Sequence, residues 1–152
     1  MKEKVLIIED DPIWVDIIIE WLNQDFYTIF QAKSLKQAME IINNNNLVFD
    51  IVVSDIILDN NNYSNIDGII ALKYLVEHSK VKIGIVITSH PSKKTKSMVR
   101  KLGASYIVKE KESKKTFEKI INSSKKNNYP TNQKRKTKRA IPLVAKNLGY
   151  LI

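Results

Sequence analysis

The chain has 152 residues, of which 43% are hydrophobic and 27% are charged, and this length fits one ordinary domain with a short appendage. It contains no cysteine and two histidines, which excludes disulfides, cysteine nucleophiles and thiolate zinc sites and leaves too few histidines for most histidine-based metal centres. Any bound metal is therefore expected to be a hard cation held by oxygen atoms.

Charge is distributed unevenly along the chain. Residues 1–92 contain 7 Lys/Arg and 13 Asp/Glu, a net charge of −6, whereas residues 93–152 contain 18 and 3, a net charge of +15. Such a basic segment fits nucleic acid or an acidic protein surface. Lysine and asparagine usage of this kind also arises from AT-rich coding, so charge alone does not assign nucleic-acid binding.

The pattern of hydropathy predicts a soluble cytoplasmic protein that does not associate with a membrane. No apolar run approaches the ~20 residues that span a bilayer. The first apolar stretch ends in carboxylates at residues 9–11, before the core of a signal peptide can develop.

Five short apolar runs alternate with five amphipathic segments. The predicted strands are 5–8, 26–32, 50–54, 83–87 and 106–108, and helices are predicted to begin near Pro12, Ser34, Gly68, Ser92 and Ser113. This order gives right-handed βαβ units, and therefore an α/β fold with a five-stranded parallel sheet and helices on both faces. Asp11, Ser34 and Ser113 are predicted to cap the first, second and fifth helices, and Ser92 to open the fourth. Trp14 and Trp21 of the first helix are interpreted as packing residues.

Polar residues follow four of the predicted strands: Glu9 and Asp10 the first, Asp55 the third, Thr88 the fourth and Lys109 the fifth. Ligands of open α/β sheets bind beyond the carboxyl ends of the strands, so we expect these side chains to share one pocket. Three converging carboxylates repel one another unless a cation such as Mg²⁺ neutralises them. The pocket then suits phosphoryl transfer, with Asp55 as nucleophile and the lysine and hydroxyl as contacts for phosphoryl oxygens. Each residue alone has a structural explanation, and only their combination is specific.

Four segments resemble the receiver domain of two-component response regulators, the CheY-like family. They are VLIIEDDP (5–12), VVSDI (52–56), ITSHP (87–91) and GASYIVK (103–109), and the resemblance covers about residues 3–124. It implies a flavodoxin-like, doubly wound domain over 1–124.

The resemblance also implies a role for each site residue. Asp55 would accept a phosphoryl group from a histidine kinase or a phosphotransfer protein. Mg²⁺ would be held by Asp10, Asp55 and the backbone carbonyl of Ile57, with the help of Glu9.

The remaining roles in the family concern recognition of the phosphoryl group and the response to it. Thr88 would hydrogen-bond to the phosphoryl group and Lys109 would pair with it. Tyr106 would rotate inward and alter the face formed by the fourth helix, the fifth strand and the fifth helix, where a downstream protein binds. Such a protein is a switch with self-directed phosphotransfer, not an enzyme acting on a separate substrate.

Three features depart from the family pattern. Residues 56–67 are predicted to form a long polar loop. The segment from Asp55 to Gly68 is about five residues longer than usual and lacks the frequent proline. Glu110 replaces the proline that usually follows the lysine, so a cis peptide bond is not expected there. Ser89 replaces a smaller residue, which leaves two adjacent hydroxyl groups, and we prefer Thr88 as the functional one.

Residues 125–152 are predicted to form a basic linker or tail without a complete output domain. The segment 125–139 holds seven basic residues and no acidic ones, so it is a candidate for nucleic-acid binding. Three interpretations remain: a stand-alone receiver with a basic arm, a fragment of a longer transcription factor, or a tail that docks on its own subunit or on another. Homodimer formation is left open.

Two other functions were weighed. A Mg²⁺-dependent phosphohydrolase or phosphotransferase would need a general acid two residues after Asp55, where the chain has Ile57. A phosphate-independent pseudo-receiver would bind protein, or nucleic acid through 125–139, but the retention of all five pocket residues argues against it.

Overall fold

The computed structural model describes residues 1–44, 46–59 and 62–127, in which five strands and five helices alternate as predicted. The strands are β1 (Glu3–Ile8), β2 (Tyr27–Ala32), β3 (Phe49–Ser54), β4 (Val81–Thr88) and β5 (Ser105–Val108). The helices are α1 (Pro12–Trp21), α2 (Leu35–Asn44), α3 (Asp67–Glu77), α4 (Lys93–Lys101) and α5 (Ser113–Asn127). None of these helices is long and apolar enough to cross a membrane. Most of the predicted basic tail, and with it the nucleic-acid prediction, lies outside the described residues.

All strands of the sheet are parallel, in the order β2-β1-β3-β4-β5. The predicted doubly wound α/β fold is therefore confirmed. The order reverses between β1 and β3, the point at which open α/β sheets bind ligands. In the register, Ile8 lies opposite Ser54 and Ser54 opposite Val86, so β1 and β3 end side by side and β4 continues to Thr88 next to them.

Helices cover both faces of the sheet and create two hydrophobic layers. Leu6 and Ile8 point into a layer closed by α2, α3 and α4, whereas Val5 and Ile7 point into a layer closed by α1 and α5. All four side chains are fully buried. A strand covered on both sides needs an apolar residue at every position, which explains the uninterrupted run before the first acids.

Three predicted helix caps are present. Asp11 accepts a hydrogen bond from the Ile13 amide (2.9 Å), Ser34 caps α2, and Ser92 accepts one from the Thr95 amide (3.1 Å) at the start of α4. The predicted cap at Ser113 was wrong. This residue is the first of α5, and its hydroxyl turns back to accept from the Glu110 amide and donate to the Val108 carbonyl, both at 2.7 Å.

The loop between β3 and α3 was predicted to be polar, but its beginning is not. Ile56, Ile57 and Leu58 are buried in the layer formed by α2, α3 and α4. The Gly68 amide donates to the Ile56 carbonyl (3.1 Å), so the loop returns to the point where it left the sheet.

Helix α5 continues to Asn127, beyond the predicted end of the domain at 124. Lys125 donates to the Tyr27 hydroxyl (2.9 Å) and forms an ion pair with Glu3 (3.5 Å). These contacts tie the first basic residue of the predicted tail to β1 and β2.

Asp50 joins β3 to its two neighbouring strands and supports a prediction about stability. Its carboxylate accepts from the Lys4 amide (2.7 Å) and from the Lys82 ammonium (2.6 Å). Burial opposes its ionisation, but the hydrogen bonds from Lys82 and Lys4 outweigh burial and hold the pKa of Asp50 below its usual value. We expect Asp50→Asn to lower the free energy of unfolding at pH 7 by about 1 kcal/mol, a modest loss because Lys82 is exposed.

The pH dependence of this effect has a defined sign. A lowered pKa stabilises the fold above the unfolded pKa of ~3.9, and this stabilisation is lost as the pH falls through the folded pKa. Urea unfolding should therefore separate the wild type from Asp50→Asn at pH 7, and the difference should disappear only as the pH falls below the lowered pKa of Asp50. Asp16→Asn, on the exposed side of α1, is the control and should show no such difference.

Candidate functional site

Three carboxylates meet where β1 and β3 end. Oxygen atoms of Glu9, Asp10 and Asp55 all lie within 4.8 Å of one another. Glu9 and Asp55 are buried, and Asp10 is partly exposed. We call these three residues the acidic cluster.

Lys109 links the acidic cluster to the end of β5. Its Nζ atom donates to Glu9 Oε2 and to Asp55 Oδ2, each at 2.7 Å, and its side chain is only 4% exposed. The Lys109 amide donates to the Thr88 carbonyl (2.8 Å), which fixes the end of β5 against β4. The sheet thus brings together side chains that lie 100 residues apart in sequence.

Asp55 is held in one orientation by its neighbours. Its amide donates to the Ile8 carbonyl (2.9 Å), and its Oδ1 atom accepts from the Ile56 amide (2.6 Å). The Ser54 hydroxyl lies 2.9 Å from the Asp55 carbonyl and 3.2 Å from the Gly68 carbonyl. Backbone and side chain are therefore both fixed before any ligand arrives.

Burial and like charge shape the electrostatics of the pocket. Burial, followed by the charge of Asp55, raises the pKa of Glu9 to about 7, although Lys109 opposes both effects. Burial also opposes the charge on Lys109, but Asp55 and Glu9 outweigh it and raise the lysine pKa. With one lysine against three acids, the fully ionised pocket carries a net charge of −2.

The chemistry of the donor atoms fits a hard divalent cation. The acidic cluster offers only oxygen, its members directly follow the neighbouring strands β1 and β3, and the partial exposure of Asp10 leaves room for water ligands. Ile57 is buried two residues after Asp55, and the role of its carbonyl as a further ligand stays a prediction.

A substitution at Asp10 can measure how much repulsion within the acidic cluster lowers the free energy of unfolding. Among the described residues its carboxylate receives no hydrogen bond, yet it lies beside two other carboxylates. We expect Asp10→Asn to raise the free energy of unfolding of the metal-free protein by about 1 kcal/mol, the scale of one charge pair at ~4 Å in water. The same change should remove the stabilisation by Mg²⁺.

Thermal unfolding with EDTA and with Mg²⁺ tests both halves of this prediction. Asp11→Asn is the matched control, because it removes the neighbouring charge while asparagine still caps α1. A less stable metal-free Asp10→Asn protein, or one that keeps the full response to Mg²⁺, would contradict the prediction.

Thr88 and the following loop lie at the end of β4, beside Lys109. Thr88 is fully buried, and its Oγ1 atom accepts from the His90 amide (3.1 Å). Ser89 is exposed, and its hydroxyl lies 3.3 Å from His90 Nδ1. The His90 ring also contacts Tyr63 of the long loop, with ring centroids 5.1 Å apart. The two hydroxyls thus differ in burial, and Thr88 is the one enclosed at the strand end.

Tyr106 lies on β5 and is directed toward α4 rather than toward the acidic cluster. Its hydroxyl accepts from the Ser92 amide (3.3 Å) and lies 3.1 Å from Thr95 Oγ1. The side chain is partly buried against the layer containing α4. In this structure the phenol therefore fastens β5 to the first turn of α4.

Sequence reasoning missed two contacts of the site. The Ser54 hydroxyl was not assigned, although a serine in a fully buried strand must find a hydrogen-bond partner. Trp14, interpreted as a packing residue, also places its ring under Lys109, with Nζ 5.0 Å from the ring centroid. No pattern in the sequence links these two residues.

Comparisons with known proteins agree with this geometry. The model of the response regulator receiver domain family matches residues 5–122. The fold is similar to a CheY-like receiver domain protein from Methanospirillum hungatei JF-1, with 21% identity, coverage of 83% of this chain and 96% of that one, and a TM-score of 0.68. A signal receiver domain of a putative LuxO repressor protein from Vibrio parahaemolyticus is 16% identical, with coverage of 83% of this chain and 92% of that one and a TM-score of 0.66. A response regulator from Thermotoga maritima is 17% identical, with coverage of 80% of this chain and 99% of that one and a TM-score of 0.62.

No curated protein matches the sequence significantly. The solved structures, at these identities, show the fold, whereas the family model covers most of the chain. Together with the acidic cluster and Lys109 at the ends of β1, β3 and β5, this match assigns the chain to the response regulator receiver domain family of two-component signalling systems.

Proposed function

We propose that this receiver domain is a phosphorylation-dependent signalling switch with Asp55 as its phosphoacceptor. One observation carries the proposal: the Asp55 carboxylate is fixed between two other carboxylates and a buried ammonium group at the ends of three strands. A nucleophile in that position has a cation site on one side and a partner for phosphoryl oxygens on the other.

In the proposed reaction, a carboxylate oxygen of Asp55 attacks the phosphorus of a phosphohistidine. An oxygen–phosphorus bond forms and the phosphorus–nitrogen bond breaks, and the leaving imidazole keeps the electron pair and takes up a proton. Hydrolysis later adds water across the acyl phosphate and returns the carboxylate and inorganic phosphate. The Ile56 amide and the Lys109 ammonium orient the carboxylate for this attack.

Glu9, Asp10 and Asp55, together with the Ile57 carbonyl, would hold Mg²⁺. When bound, the ion supplies positive charge that offsets repulsion between the carboxylates and the incoming phosphoryl group. Lys109 supplies a second positive charge, which moves from the Asp55 carboxylate to a phosphoryl oxygen after transfer. Thr88, beside Lys109 in the sheet, donates its hydroxyl to another phosphoryl oxygen.

The response to phosphorylation would pass through Tyr106. Engagement of Thr88 by the phosphoryl group draws the β4–α4 loop inward, and Tyr106 then gives up its contacts with Ser92 and Thr95. This change alters the face formed by α4, β5 and α5. One groove on α4 is lined by Lys93, Lys96, Ser97, Arg100 and Lys101, so the downstream partner should present an acidic surface.

The phosphodonor would be a histidine kinase or a phosphotransfer protein in the cytoplasm. Ile13, in the first turn of α1 and close in sequence to the acidic cluster, is 67% exposed and offers this donor an apolar contact. The chemistry of the chain is then limited to its own phosphorylation and dephosphorylation.

Intact-mass measurement with a small-molecule phosphodonor tests the proposal. The wild type, incubated with phosphoramidate and Mg²⁺, should gain one phosphoryl group, and EDTA should prevent the gain. Absence of an adduct together with an unchanged melting temperature in Mg²⁺ would overturn the proposal in favour of a phosphate-independent binding module. An adduct that forms equally well in EDTA would contradict the role of the acidic cluster.

A further inference from the structure

Lys109 has a third neighbour besides its two carboxylate partners. The ammonium group of Lys109 donates two hydrogen bonds, one to Glu9 and one to Asp55, with Nζ 2.7 Å from each carboxylate oxygen. The ring of Trp14 lies on a further side, 5.0 Å from Nζ to its centroid. This distance is within the range in which the face of an indole attracts a cation.

The position of Trp14 is itself fixed by other aromatic residues. Trp14 packs edge-on against Trp21 at 6.1 Å, with an angle of 83° between the ring planes. Trp21 in turn lies 5.4 Å from Phe117, a buried residue of α5. The indole ring beside the ammonium is therefore held in place by packing, unlike a free surface side chain.

Burial strengthens the contact between the indole ring and the Lys109 ammonium. The Lys109 side chain is only 4% exposed, so little water remains to solvate its charge, and electrostatic contacts with an indole strengthen when water is excluded. A leucine in place of Trp14 would fill part of the volume without providing the negative face of the ring. The ammonium would then be held by its two carboxylate partners alone, and its position relative to Asp55 would be less restricted.

We propose that Trp14 is a positioning residue that holds the Lys109 ammonium against Asp55 and thereby sets the rate of phosphoryl uptake. This inference rests on the proposed function, because it assigns Trp14 a role in that reaction. It assigns no contact between Trp14 and the phosphoryl group itself. The effect of Trp14 is therefore exerted through Lys109.

A double-mutant cycle tests that dependence. We expect Trp14→Leu to slow phosphoryl uptake from phosphoramidate about tenfold, and Trp14→Phe, which retains an aromatic face, only two- to threefold. In a Lys109→Met background, Trp14→Leu should cause no further slowing, because the group that it positions is gone. Trp21→Leu removes a ring that supports Trp14 but keeps the Trp14 ring itself, so it should slow uptake less than Trp14→Leu, and only while Lys109 is present.

The wild type, the two single variants Trp14→Leu and Lys109→Met and the double variant can also be unfolded in urea without metal. This measurement does not depend on phosphorylation. The proposal requires that the equilibrium constants for unfolding also deviate from additivity, about fivefold, in the direction of a favourable Trp14–Lys109 contact. Equal slowing by Trp14→Leu in both backgrounds, or additivity in urea, would overturn it. No uptake by the wild type would overturn the proposed function itself, whereas uptake that Trp14→Leu leaves unchanged would overturn only the role of Trp14.

Discussion

We expect the Asp55→Asn protein to take up no phosphoryl group from phosphoramidate under conditions in which the wild type should take up one. The amide oxygen of asparagine is a poor nucleophile, while the side chain keeps its size and its place at the end of β3. The fold should survive, because Lys109 keeps Glu9 as a partner and Glu9 loses the neighbouring charge that raises its pKa. Intact mass after a fixed incubation gives the result directly.

Two measurements make this outcome specific to the site. Asp16→Asn, with the same change in charge on the exposed side of α1, should gain the phosphoryl group like the wild type. Circular dichroism should show Asp55→Asn folded to the same extent. If the Asp55→Asn protein were still labelled, fragmentation would locate the acceptor elsewhere, and the assignment of Asp55 would be wrong.

The sequence was sufficient to predict the sheet and the meeting of its polar ends. Parallel strands buried on both faces require apolar runs, and the carboxyl ends of such runs lie at one edge of the sheet, so Glu9, Asp55 and Lys109 were expected at that edge. That prediction needed no knowledge of side-chain packing. It follows from the alternation of strands and helices alone.

The contacts that the sequence did not predict depend on packing between distant segments. Trp14 and Lys109 lie far apart in the sequence. Their contact depends on the packing of α1 and on the Lys109 side chain reaching from the end of β5 toward Glu9 and Asp55. The Ser113 hydroxyl turned away from its predicted cap because α5 begins one residue earlier, which a pattern of residue types does not resolve. The close approach of Gly68 to β3 was likewise not predicted, because the loop before Gly68 is longer than in the family pattern.

Gly68→Ala should be the most destabilising single substitution proposed for this chain. A Cβ atom at Gly68 would overlap the backbone carbonyl oxygen of Asp55, and it would lie 2.7 Å from the carbonyl carbon and from Ser54 Oγ. Backbone atoms of a central strand cannot move aside as a side chain does. We expect the free energy of unfolding to fall by about 3 kcal/mol, at the upper end of the cost of overpacking a core.

Steric overlap and helix propensity predict opposite changes in the free energy of unfolding of Gly68→Ala. Gly68 is the second residue of α3, where propensity alone predicts that alanine stabilises the helix by up to ~1 kcal/mol. Gly84→Ala in β4 is the matched control, because a Cβ there would meet Leu72 Cδ1 at 3.0 Å and Ala104 Cβ at 3.2 Å. Since the leucine side chain can yield, this change should cost less than about 1 kcal/mol in urea unfolding.

The substitution also links the long loop to the chemistry of the site. The atom that the added methyl group would displace is the carbonyl oxygen of Asp55, the proposed phosphoacceptor, so the Asp55 carboxylate should lose its alignment with Lys109. Phosphoryl uptake by the folded fraction of Gly68→Ala should therefore be at least about tenfold slower, whereas Gly84→Ala should react like the wild type. A stable Gly68→Ala protein with normal uptake would mean that α3 can shift away from β3, and that the closure of the loop does not fix the phosphoacceptor.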